Sequence, residues 1–318
     1  MRNSWDDTMS QQPRIAILLA TYNGATFLSA QLDSLLAQTY THFIIVARDD
    51  GSTDDTPQIL ARYRSDYPDK FHLVGDGADN KGASASFSCL MEYALEHKEA
   101  LDLPAAYLMF CDQDDIWYPD KIERQMQAML ALEADGASVP VLVHSDLRVV
   151  AADGQMLAPS FVRYQGLELS RNSFEGLVFS NLVTGCSALC NEALALQATP
   201  VAKHAIMHDW WLALVAAAFG KLVFLDMPLV DYRQHGANTI GAKQHVPLAR
   251  RNMNILQKMA QIKPNALLYL VAGQAEDFYA RFGKQLGRRQ RIALRIAIAM
   301  SIKSGLCQRS LRYLASKL

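Results

Sequence analysis

From Ile15 to Thr21 the chain is almost continuously apolar and then breaks at Tyr22-Asn23-Gly24. That is the pattern of a strand buried on both faces and ended by a turn. Phe27, Leu28, Gln31, Leu32, Leu35 and Leu36 follow at helical spacing, and Phe43 to Ala47 predicts a second buried strand stopping at Asp49-Asp50-Gly51. The unit is β-α-β. Pro57 sits in a first helical turn and predicts a helix to about Tyr67, before a short strand from Phe71 to Val74. Ala83 to His97 reads as helix and Ala106 to Cys111 as strand. Pro119 to Glu133 reads as a helix with Lys121, Glu123 and Arg124 toward solvent. Crossovers of one hand make this a doubly wound α/β sheet, mostly parallel and flanked by helices.

Beyond Pro140 the rhythm changes. Val141 to Val150 and Met156 to Val162 read as strands around Ala152-Asp153-Gly154, so the sheet becomes mixed. Ser187 to Cys190 predicts a strand, Asp209 to Phe219 a buried helix and Leu222 to Val230 another strand. Lys221 and Asp226 interrupt that short apolar span, so it does not predict a membrane crossing. Strand patterns cease after His245-Val246-Pro247. The expected organisation is a disordered terminus over 1–12, an α/β domain over 13–245 and a helical basic region over 246–318.

Composition narrows the choice of function. Half of the 318 residues are hydrophobic, which suits a folded chain, and the net charge is −1. No global basic field exists to attract nucleic acid. The charge is unevenly distributed, however: Arg281 to Leu318 holds ten Lys or Arg and no acid, which leaves 21 basic against 32 acidic residues, or −11, before it. The five cysteines are odd in number and scattered, as in a reducing cytoplasm. Met1 to Gln12 lacks the charged-then-apolar pattern of a secretory signal.

The polar residues lie at the carboxyl ends of the strands, where open α/β sheets bind ligands. Asp112-Gln113-Asp114-Asp115 follows an apolar strand directly. Carboxylates so clustered repel one another unless a cation lies between them, and two leave most positions of Mg²⁺ or Mn²⁺ open to water and phosphate oxygens. An exposed acidic turn capping the next helix is the alternative. Asp49 to Asp54 is a second acidic strand end, equally readable as a DG turn with helix caps. Neither a Walker loop nor a G-x-G-x-x-G fingerprint follows the first strand.

Four ordered motifs, Ala20-Thr21-Tyr22-Asn23-Gly24, Asp49 to Thr56, Asn80-Lys81-Gly82 and Asp112 to Trp117, resemble those of family 2 glycosyltransferases. The resemblance runs from about Arg14 to Gly241. It implies a GT-A fold, a nucleotide-sugar donor, a divalent cation and transfer with inversion. Carried over, Thr21, Tyr22, Asn23, Asp50, Ser52, Asn80, Gly82, Asp112 and Gln113 match donor-contact positions, and Asp112 and Asp114 match the metal pair. Asp115 follows as a supporting carboxylate. His208-Asp209-Trp210-Trp211 resembles the segment that supplies the catalytic base, which makes Asp209 the base. His208 departs from the acidic residue common there. The alternative reading of Asp209 is a cap on its helix. Tyr232 to Asn238 resembles a segment that closes over the diphosphate, with Arg233 on phosphate and His235 as a further metal ligand. Val183-Thr184-Gly185-Cys186 resembles an acceptor-side loop.

Cys111 to Trp117, His208 to Trp211 and Arg233 to Asn238 together look most like bacterial rhamnosyltransferases of surface-polysaccharide assembly, which implies dTDP-L-rhamnose as donor. The tail interleaves Arg288, Arg289, Arg291, Arg295, Lys303, Arg309 and Arg312 with Ile292, Leu294, Ile296, Ile298, Met300, Ile302, Leu306, Leu311 and Leu314. This pattern suits an interfacial helix at the inner face of the cell membrane, with a lipid-linked acceptor, or else a packed helical hairpin or dimer contact. Competing functions are a metal-dependent nucleotidyltransferase, which would release pyrophosphate, and a non-catalytic membrane-surface scaffold.

Overall fold

The computed structural model describes residues 12–75, 79–136, 138–236, 265–302, 304–315 and 317. The expected terminal segment to residue 11, the boundary at His245-Val246-Pro247, and Ala237, Asn238 and Lys303 lie outside the described residues. The first half alternates as the pattern requires: β1 (Ile15–Thr21), α1 (Ala25–Leu36), β2 (Phe43–Asp49), α2 (Thr56–Asp66), β3 (Phe71–Leu73), α3 (Ala83–Glu96) and β4 (Tyr107–Cys111). β2 and β4 flank β1 in parallel, and β3 extends β2. These strands are covered on both faces, so their runs are apolar rather than alternating.

β5 (Ile116–Trp117), α4 (Lys121–Glu133), β6 (Val141–Ala151), β7 (Met156–Ala158), β8 (Ala188–Cys190) and β9 (Lys221–Gln234) complete a nine-stranded mixed sheet among the described residues. Its order is β3-β2-β1-β4-β8-β6-β9-β5, with β7 on β6. β8 runs antiparallel to both β4 and β6 and thereby joins the parallel half to the second half. Short helices α5 (Phe161–Gln165), α6 (Phe174–Leu177) and α7 (Glu192–Ala198) precede α8 (His208–Phe219). After the undescribed stretch come α9 (Ala266–Phe282), α10 (Arg288–Ala299) and α11 (Gly305–Ala315).

Several expectations need correction. The predicted strand over Met156 to Val162 ends at Ala158, because Ser160 accepts from the Arg163 N–H and caps α5. The last strand runs on to Gln234, so Tyr232 and Arg233 lie within it. Pro119 precedes α4, which starts at Lys121. Lys121 is fully buried rather than solvent-facing. It flanks the Ile122, Met126 and Met129 stripe that packs on the sheet, its Nζ donates to Gln125 Oε1 at 2.5 Å, and it lies 4.0 Å from the Trp117 ring centroid. Glu123 and Arg124 are exposed as expected.

The C-terminal helices join the main core. Phe278 of α9 packs on Trp211 and Phe174, and Ala293, Leu294, Ala297 and Met300 are fully buried. This part of the tail matches a packed hairpin. Ile302, Leu306, Tyr313 and Leu314 remain exposed. No helix among the described residues is long and apolar enough to cross a membrane.

Candidate active site

The loop after β1 is closed by the chain that follows β2. Thr21 Oγ1 donates to Asp49 Oδ1 at 2.9 Å, the Asn23 N–H to Ser52 Oγ at 2.8 Å, and the Ala25 N–H to Asp54 Oδ2 at 3.0 Å. Asp54 thus satisfies the first turn of α1, the helix before it, and its Oδ1 accepts from the Thr56 N–H at 3.0 Å, at the start of α2, the helix that the capping alternative named. Asn23 and Ser52 hold each other and are absent from the lining of the cavity described below. Gln113 clamps the same loop from the other side: its Oε1 accepts from the Tyr22 N–H at 2.8 Å, and its Nε2 donates to Tyr22 O at 2.9 Å. A Cβ at Gly24 would stand 2.1 Å from Gln113 Oε1, so this clamp requires glycine there.

Asp50 is buried and organises the next loop. Its Oδ1 accepts from Arg48 at 2.5 Å and from the Lys81 N–H at 2.8 Å, and its Oδ2 accepts from the Gly82 N–H at 2.8 Å. Burial opposes its ionisation, but the Lys81, Arg48 and Gly82 hydrogen bonds and the guanidinium charge prevail and lower its pKa. Gly82 has φ 79°, a left-handed conformation that suits glycine.

These loops open on a cavity of about 600 Å³. Thr21, Tyr22, Asp50, Asn80, Gly82, Asp112, Gln113, Asp114 and Asp209 all line it, as do Val183, Thr184 and Gly185. Arg233 and His235 are absent from the lining. The Arg233 Nε donates to Asp114 O at 2.9 Å, its Nη1 donates to Ala152 O at 2.7 Å, and the guanidinium packs over Phe27. These carbonyl bonds tie β9 to the acidic loop and to the turn between β6 and β7. His235 Nε2 lies 2.8 Å from Asp114 Oδ2.

The acidic strand end is electrostatically uncomfortable. Burial, then the charges of Asp114 and Asp209, pushes Asp112 up to about 7. Asp115 is buried, and burial followed by Asp114 and Asp112 raises it well above the usual carboxylate range. Its Oδ1 accepts from the Arg233 N–H at 3.1 Å, while its Oδ2 has no hydrogen-bond partner. Donor atoms of Asp112, Asp115 and Cys186 lie within 4.8 Å of one another. Burial pushes the Cys186 thiol well above its ordinary range, and the other two donors are carboxylates. Mutual repulsion, an orphaned carboxylate oxygen and an oxygen-rich donor set fit a hard divalent cation.

Across the cavity, Asp209 lies in the first turn of α8. Its Oδ2 accepts from the Gly185 N–H at 2.8 Å, and its Oδ1 accepts from Asn181 Nδ2 at 3.0 Å. Burial raises its pKa to about 6 against the lowering effect of the Trp210, Gly185 and Asn181 donors. Trp210 lines the cavity and donates to Leu177 O at 2.6 Å, whereas Trp211 is fully buried and donates to Ala198 O at 2.9 Å.

Asn181, Arg48 and an apolar wall that includes Phe161, Leu182, Ile206, Met207 and Leu267 lie outside the motifs of the sequence. Arg48 sits in an apolar strand two residues before Asp50, which was a readable signal. The wall comes from four separate segments and carried none.

A family model described as "Glycosyl transferase family 2" matches residues 16–195. A dTDP-rhamnosyl transferase, RfbG, of Shigella flexneri is 26% identical over 70% of this chain and 74% of its own length. An uncharacterized glycosyltransferase of Nostoc sp. is 29% identical over 71% of this chain, which spans 66% of that relative's length. Among solved structures, S. aureus TarS 1-349 in complex with UDP-GlcNAc aligns with a TM-score of 0.54 at 13% identity, covering 94% of this chain and 92% of that one. A mannosyltransferase from Pyrobaculum calidifontis in complex with GDP-Man and Mn²⁺ aligns at 0.52 and 14% identity, covering 96% and 75%. These likenesses concern the fold, and it is the GT-A fold.

Proposed function

This chain belongs to glycosyl transferase family 2, and on that premise we propose that it transfers a sugar, with inversion, from a nucleoside diphosphate to a saccharide acceptor. One observation carries the reading: the loops after β1, β2, β3 and β4 and the start of α8 converge on a single cavity. Thr21, Tyr22, Asp50, Asn80, Gly82 and Gln113 would hold the donor, with Asn23 and Ser52 keeping that loop in shape. Asp209, raised to about 6, is largely ionised at neutral pH and still basic enough to accept the acceptor hydroxyl's proton. The freed oxygen attacks the anomeric carbon as the bond to the diphosphate breaks, and the diphosphate leaves with the electron pair. No protein nucleophile is needed. Asp112 and Asp114, with the orphaned Oδ2 of Asp115 near Asp112 and His235 behind Asp114, would hold Mg²⁺ or Mn²⁺, which when bound neutralises charge on the departing diphosphate.

The dTDP-rhamnosyl transferase of Shigella flexneri supports dTDP-L-rhamnose as donor. The apolar wall of Phe161, Leu182, Ile206 and Met207 supplies an environment suited to the methyl group of a deoxysugar. The acceptor in this reading is a lipid-linked saccharide of surface-polysaccharide assembly, reached at the inner membrane face. Two observations support that placement. α11 exposes Leu306, Tyr313 and Leu314 alongside Arg309 and Arg312. It is also tied to the start of α9 by the Asn265 N–H to Gln308 Oε1 bond, two residues from cavity-lining Leu267.

The donor site is tested by titrating dTDP with and without Mn²⁺. Mn²⁺ is expected to tighten wild-type binding tenfold or more, and Asp112→Ala and Asp114→Ala to abolish the difference. Metal-independent binding in the wild type, or an unchanged metal effect in both variants, would refute it. For the tail, sedimentation with vesicles rich in phosphatidylglycerol should retain the protein, and phosphatidylcholine vesicles should not. Equal retention by both would remove the electrostatic part of the argument.

A further inference from the structure

His208 is a polar residue of the cavity to which the transfer chemistry gives no task. It lies in the first turn of α8 beside Asp209, lines the cavity, and is 2% exposed. Neither Nδ1 nor Nε2 has a hydrogen-bond partner. Its ring is wedged against Phe87, with centroids 4.1 Å apart, and against Phe110, at 5.0 Å. Gly185 lies against its edge: a Cβ there would stand 2.8 Å from Nε2 and 3.7 Å from Asp209 Oδ2. Two orphaned nitrogens in an aromatic cage are costly, since each buried unpaired polar group forfeits its hydration without compensation. An apolar ring would fill the same cage without that loss. The cost is explained if the missing partner arrives with the substrate.

We propose that His208 is a specificity-determining residue that hydrogen-bonds a hydroxyl of the transferred sugar. The inference rests on the donor reading above. Phe87 belongs to α3, which begins directly after the Asn80–Gly82 loop, and Phe110 belongs to β4, which leads into Asp112. The imidazole is therefore held by the two elements that flank the donor. Burial pushes its pKa down to about 3, so the ring is neutral and offers one donor and one acceptor nitrogen. A sugar hydroxyl, itself both donor and acceptor, pairs with either. A site built to pair a hydroxyl rejects analogues that present none there, because its own buried group then stays unpaired.

The test compares the affinity of dTDP with that of a set of dTDP-sugars differing at single hydroxyls, with Mn²⁺ present. His208→Phe is expected to leave dTDP affinity within about twofold and to leave the melting temperature unchanged or higher. It should reduce the preference for the favoured sugar by about tenfold to a hundredfold. His208→Gln, which restores a donor and an acceptor, should recover part of that preference. Gly185→Ala, which sets a methyl group against Nε2, should weaken sugar preference while dTDP still binds. Wild-type preference in His208→Phe would overturn the inference. So would a fall in melting temperature with equal weakening for dTDP and every dTDP-sugar, since that marks a packing role. If wild-type protein binds no nucleotide at all, the donor reading fails first and takes the inference with it.

Discussion

Asp209→Asn is expected to lower kcat by about 10²- to 10⁴-fold, the usual contribution of a positioned general base. The substitution keeps the size and removes the basicity. It also disturbs local structure, because Asp209 accepts from both the Gly185 N–H and Asn181 Nδ2, and an amide can accept through its oxygen only. A stability loss of about 1–3 kcal/mol should accompany the catalytic one. The two effects separate in a rate measured on fully folded protein under saturating donor. A stability loss with unchanged kcat would reduce Asp209 to an anchor between α8 and the 181–185 loop. In the wild type, kcat should rise as pH increases through about 6, where the base ionises. Folding stability moves oppositely in metal-free protein. Asp209 and Asp112 have folded values of about 6 and about 7 against 3.8 unfolded, so the native state holds protons that the unfolded chain has released. Their contribution is fully present below about pH 4 and is lost as pH climbs to about 7.

Arg48→Ala should cost about 3–5 kcal/mol of folding stability, because it leaves a buried carboxylate without its cation. Arg48 is fully buried. It donates to Asp50 Oδ1 at 2.5 Å, to Ser86 Oγ at 2.9 Å and to Asp79 O at 3.2 Å. The guanidinium thus joins the end of β2, the loop after β3 and the start of α3. Removing it should both unfold the protein at lower urea and loosen the 79–82 loop, raising the donor KM. Replacing Arg48 and Asp50 together with leucine should recover much of the stability but none of the donor binding, since the loop's two N–H donors would then lack an acceptor. Equal urea midpoints for wild type and Arg48→Ala would show the pair to be energetically neutral.

The donor half of the site was legible because it obeys a local rule. Each parallel strand must be apolar along its length and must stop where ligand chemistry begins, so Thr21, Asp50 and Asp112 each stand at or just beyond the end of an apolar run. The half that faces the acceptor was less legible. Asp209 was found only through a resemblance of motif, and nothing in the periodicity distinguished it from a helix cap; its bonds to Gly185 and Asn181 lie outside α8 and anchor the 181–185 loop. Lys121 was misplaced because a lysine flanking an apolar helical stripe normally extends its amine into water. Here Trp117 and Gln125 enclose it instead, and burial brings its pKa down to about 7.

By itself, then, the order of residues determined the strands, the helices between them and the polar positions at strand ends, since these follow from which side chains can be buried over five to ten neighbours. Only the tertiary structure decided which carboxylates confront each other, which cations are sealed inside and where Arg233 spends its hydrogen bonds. Those outcomes depend on desolvation and on distances between residues as far apart as Arg233 and Asp114, and no local pattern encodes them.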